Sequence, residues 1–174
     1  MIKRSTPVPF PDYPGNARSF VHLDARLLPY WHTLFDVCPA LLKLDPPDGL
    51  NLFREFMTWA YRHHPALDWT YYLNVSRWLL ASRYQAKVNA EHIETFMIAA
   101  AARWINTDDS QAVGLVLTWK GMAEKVFDWK KPPEPSTRIA LEHEETPPAA
   151  WDFAWCPLSG KKGANFRRWL PVSG

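Results

Sequence analysis

The side chains that could ligate a metal or exchange a proton with a substrate are few: six histidines and two cysteines in 174 residues. His63 and His64 are adjacent, so on a helix they point about 100° apart and do not converge on one ion. Glu91 and Glu94 share the first turn of a predicted helix, where negative charge suits the dipole, while His92 lies off their face. Neither His-Glu-x-x-His nor the inward Glu-x-x-His pattern of carboxylate-bridged metal centres occurs. Cys38 and His32 are six residues apart, which places them on opposite sides of a helix, and Cys156 has no second cysteine at ligand spacing. The spacing therefore predicts no metal site, no cofactor and no catalytic thiol.

Phosphate and acyl chemistry fare no better. There is no Gly-x-Ser-x-Gly elbow. Gly160-Lys161-Lys162-Gly163 lacks the preceding glycine and the following Ser or Thr that let backbone amides cradle a phosphate. If the chain were an enzyme with a site between helices, His63, His64, Glu91 and His92 would be the first residues to test. The missing motifs favour a non-catalytic protein instead.

The end of the chain is rich in residues that recognise other macromolecules. Trp151, Phe153, Trp155, Phe166 and Trp169 each carry about 150–250 Å² of surface that is costly to leave in water. Two outcomes compete: the segment folds back and completes the core, or these five rings form a protein-binding site, since Trp and Arg concentrate at interface hot spots. Lys161, Lys162, Arg167 and Arg168 lie among the same aromatics and suit nucleic acid, with cations on phosphate and rings on bases. The leading expectation is an accessory subunit or adaptor that docks to a larger protein or nucleoprotein assembly; direct nucleic-acid binding is the alternative. On that expectation, a chain ending before Trp151 keeps its helical content and loses its partner.

Charge is unevenly spread. Residues 1–23 hold three basic and one acidic side chain, 24–133 twelve of each, 134–145 one and four, and 146–174 four and one. A neutral centre argues against wrapping nucleic acid around the body. No run of eighteen uncharged apolar residues occurs, and the basic N-terminus has no apolar stretch behind it, so the reading is a cytoplasmic protein with reduced thiols and no membrane partner.

The elements that must hold these residues read as helical. Asn89 is placed as an N-cap, and Ile93, Phe96, Met97, Ala100, Ala101 and Trp104 follow at i, i+3, i+4, i+7, i+8 and i+11. A second start signal at Thr107–Ser110 precedes Ala112, Val113, Val116, Trp119, Ala123, Val126 and Phe127, and predicts an antiparallel partner helix. Upstream, Leu50, Phe53, Met57, Ala60 and Tyr61 predict a helix capped by Asp48. Trp69, Tyr72, Leu73, Ser76, Leu79 and Leu80 predict another capped by Asp68, and a short one starts at Pro29. Sixteen prolines cluster at the ends. The fold class expected is mainly α: a single compact bundle of about four to six helices over 24–129, with an extended Pro-rich arm at 1–23 and a Pro-rich linker and aromatic, basic tail at 130–174.

Overall fold

The computed structural model describes residues 26–131, 145–159 and 168–173. The arm at 1–23, the proline-rich stretch after Lys131, and Lys161, Lys162, Phe166 and Arg167 lie outside the described residues. The chain divides into two compact units, one containing residues up to Pro65 together with Trp78–Val88, the other Ala66–Arg77 together with Asn89 onward.

The first unit is helical. Helix α1 (Leu28–Trp31) continues into a π-helical turn, His32–Asp36, and a 3₁₀ turn, Pro39–Lys43. Helix α2 (Leu50–His63) follows Gly49, which adopts a left-handed φ of 76°. A Cβ there would meet the Phe35 ring and Leu42 at 3.0 Å, so glycine suits both the backbone and the space. The opening amides of α2 are collected by two carboxylates. Asp45 accepts from Asn51 and Leu52 at 2.8 and 3.0 Å, and Asp48 accepts from Leu50 at 3.1 Å. The buried face of α2 is Leu52, Phe53, Phe56 and Ala60. Expected inward, Tyr61 is instead exposed, because the buried stripe is centred on Leu52, Phe53, Phe56 and Ala60 and Tyr61 lies at the far edge of the apolar arc. Rings of Trp31, Phe35, Phe53 and Phe56 form a continuous contact chain through this core.

The second unit pairs helices with a sheet. It takes the first part of α3 (Tyr71–Ala81), all of α4 (Ala90–Thr107), and strands β1 (Gly114–Trp119), β2 (Val126–Trp129), β3 (Phe153–Leu158) and β4 (Leu170–Pro171). The sheet is antiparallel with order β2-β1-β3-β4. All six apolar residues of the α4 stripe are buried. Asn89 caps α4 as expected, and His92 completes the cap: the Asn89 side chain accepts from the His92 amide at 3.2 Å, and His92 Nδ1 accepts from the Asn89 amide at 3.1 Å.

The sheet overturns the expectation of a mainly α bundle. Four α-helices among the described residues share the chain with four strands, giving an α/β fold. The stretch expected to be a second long helix is the β1–β2 hairpin, in which Val116 pairs with Phe127 and Leu117 with Val126. Helical spacing picked out Val113, Val116 and Trp119 but left Leu115 and Leu117 on the polar side, and both are fully buried. A run such as Leu-Val-Leu-Thr-Trp, with both of its faces covered, follows neither period cleanly and favours a buried strand. Gly114 agrees: a Cβ there would lie 2.5 Å from the Asp128 carbonyl oxygen across the hairpin. Asp108, expected to start a helix, instead follows the last turn of α4 and accepts from the Ser110 amide at 3.0 Å.

Residues 153–158 form the interior strand β3 between β1 and β4. A chain ending before Trp151 removes both β3 and β4. It is expected to lose the cooperative unfolding and near-UV dichroism of the second unit, rather than only a partner. Leu115→Ala, at a fully buried β1 position, should cost about 2–5 kcal/mol in chemical denaturation.

Candidate functional site

Of the five aromatic residues expected to bind a partner, the four described have different environments. Phe153 and Trp169 are buried; Trp151 and Trp155 are half-buried. Trp169 sits against Val116, Ala154, Cys156 and Leu158 and donates its indole N–H to the Glu145 carbonyl. Trp155 meets Trp69 edge-on, with centroids 5.1 Å apart. Of the cationic set, Arg168 is exposed, and Phe166, Lys161, Lys162 and Arg167 lie outside the described residues. His63, His64 and Glu91 are exposed, whereas His92 is buried in its cap. Among the described residues, no group of three or more His, Cys, Asp or Glu side chains is placed to hold a metal ion. Cys38 and Cys156 are buried free thiols.

Arg77, which lies outside the predicted apolar stripe of α3 and reads as part of a possible basic surface, instead holds the C-terminal strands to that helix within the second unit. Its guanidinium grips Asp152 with a two-pronged fork, Nε to Oδ2 at 2.6 Å and Nη2 to Oδ1 at 2.8 Å. It also donates to the Val172 carbonyl and to Asn74 Oδ1, at 2.8 and 2.9 Å, and lies 5.7 Å from the Phe153 ring centre. Burial pulls the Asp152 carboxyl upward. Hydrogen bonds from Arg77 and from the Phe153 amide outweigh it and hold the group below the ordinary carboxylate range. The same balance holds Asp108 low: burial opposes, while Lys130, 2.7 Å away, and Ser110 favour the charged form. Both pairs are part-buried.

The first unit has a different surface. Glu55, Thr58, Trp59, Arg62 and His63 fall at i, i+3, i+4, i+7 and i+8 along α2, and with Trp78 of α3 they line an open groove of about 290 Å³. Its floor is fixed from below. The buried Phe56 ring lies 5.9 Å from Trp59 and 5.4 Å from Trp78, and the two indoles are 5.9 Å apart. On its other side Trp59 stacks on His63 at 5.9 Å. His63 Nδ1 is 3.0 Å from the Trp59 carbonyl, which can only accept, so Nδ1 carries the proton and Nε2 is the nitrogen left for a ligand. At one end Glu55 is paired with Arg83 at 2.7 Å. Arg83 donates to the Tyr84 phenol at 2.8 Å, and that bond holds the guanidinium firmly charged; burial pushes the Tyr84 phenol up. Of the groove residues only His63 stands out in the sequence, as a candidate for a site between helices; Glu55 and Arg62 fall outside the predicted apolar stripe, and Thr58, Trp59 and Trp78 belong to no motif.

Fold and surface together define an α/β protein that presents a prepared aromatic groove. The chain belongs to the MbnC-like family, described as methanobactin biosynthesis cassette protein MbnC-like, which it matches over residues 10–173. A comparison with curated proteins finds no match. Among the described residues no helix is long and apolar enough to cross a membrane.

The Asp152 pair gives a pH dependence with a definite sign. Its carboxyl is lower in the folded than in the unfolded chain, so the unfolded state binds more protons in acid. The stabilisation is present above the unfolded value of about 3.9 and is lost as pH falls through the folded one. Asp152→Asn should lower stability at neutral pH by about 1–2 kcal/mol, discounted for partial exposure, and flatten the acid limb in thermal melts followed against pH.

Proposed function

We propose that this chain is a non-catalytic accessory subunit that docks to another protein of a methanobactin biosynthesis cassette in the cytoplasm. The observation that carries the reading is the groove on α2, on a chain whose family consists of biosynthesis-cassette proteins. Trp59 and Trp78 are half-buried rings held in place before any partner arrives. Fixed rings lose little conformational freedom on binding, and Trp beside Arg is the composition of interface hot spots. Arg77–Asp152 and Lys130–Asp108 are part-buried ion pairs that hold the chain together. An accessory subunit needs a stable shape and a recognition surface, and the groove supports that reading.

Co-expression with each protein of the cassette in turn tests the reading. A complex that survives size-exclusion chromatography, and whose formation raises the activity of the partner enzyme, is the expected outcome. A chain that elutes alone from every cassette protein, or that turns over a cassette substrate unaided, would contradict it.

A further inference from the structure

We infer that the α2 groove receives an acidic segment of the cassette partner, with one apolar or aromatic side chain lying on Trp59 and Trp78 and a carboxylate on Arg62. This rests on the accessory-subunit reading and adds the chemistry of what is recognised. Three observations lead to it.

The first is charge. Of the three ionisable groups lining the groove, Glu55 is already neutralised by Arg83, through a 2.7 Å contact. Arg62 has no carboxylate within ion-pair distance among the described residues and is exposed. His63 is next to it, and His64 follows at the helix end. The uncompensated charge is therefore positive, and the complement is a carboxylate.

The second is the direction of the polar groups. His63 is locked with Nδ1–H on the Trp59 carbonyl, so its free nitrogen and the Arg62 guanidinium belong to the exposed last turn of α2. An acidic segment meets donors from Arg62 and an amide acceptor at His63 Nε2, which suits a peptide with its backbone N–H groups.

The third is shape. A cavity of about 290 Å³ that is open to solvent falls at the small end of enclosed ligand sites, and it has the size of a seat for a side chain. Its floor is two indoles locked by Phe56, which favours an apolar or aromatic side chain edge-on or offset-stacked.

The test uses the full chain and the cassette protein that forms the complex, with affinity measured calorimetrically at low and high salt. Wild-type affinity should fall with salt. Trp59→Ala and Arg62→Glu should each weaken binding by about tenfold or more, and Arg62→Glu should abolish the salt dependence while Arg62→Lys keeps it. Arg62 is exposed, so its variants report on binding even if Trp59→Ala disturbs the fold; thermal melts verify this. Unchanged affinity in Arg62→Glu, or tighter binding, overturns the groove assignment while the accessory reading stands. Failure of every cassette protein to form a complex overturns both.

Discussion

The second unit depends on one long-range event, the insertion of residues 153–158 as a strand beside β1. All six residues of β1, Gly114–Trp119, pair with β3, and the first four also pair with β2. A hairpin of β1 and β2 alone would leave one edge of β1 unpaired, and two-stranded sheets are marginal in water. Closing the loop between β2 and β3 costs chain entropy, which grows slowly with loop length, and the gain must come from contacts made on arrival. Those contacts are concrete: Phe153, Ala154, Cys156 and Leu158 are buried, Trp169 covers one face, and Arg77 fastens Asp152 and Val172 to α3. The aromatic tail is in large part structural for this reason.

The first unit depends on a different constraint. Its core is a file of rings from Trp31 through Phe35 and Phe53 to Phe56, and the last of these supports Trp59 and Trp78 at the surface. The exposed groove is thus the outer end of the core. The groove keeps its shape because moving either indole would disturb a fully buried phenylalanine. That continuity ties the shape of the groove to the packing of the core.

Much of α4 was legible because its apolar residues follow a single period and Asn89 marks the start. Even there the partner in the cap, His92, was hidden, since a histidine in place of Glu or Gln at the third position does not advertise its role. Helix α2 was legible as a helix but not in its orientation: Leu52 and Phe56 are buried where Met57 and Tyr61 were expected. The hairpin is hidden in the sequence because Val113, Val116, Trp119, Val126 and Phe127 happen to fit a helical period, while the covered faces of β1 erase the alternation that marks a strand. Gly114 was the usable signal, since glycine inside a helix is costly and here a backbone oxygen lies 2.5 Å from where a Cβ would stand. Arg77–Asp152, 75 residues apart, follows from topology and has no local signature.

The central claim is that residues 114–119 are an interior strand closed by residues 153–158. Amide hydrogen exchange read residue by residue tests it most directly. If the claim is right, the amides of Leu115–Thr118 and of Phe153–Cys156 exchange together, only through global opening of this unit. Early exchange of 153–156 while 115–118 stay protected, or protection of 110–127 as one continuous helical block, would contradict it.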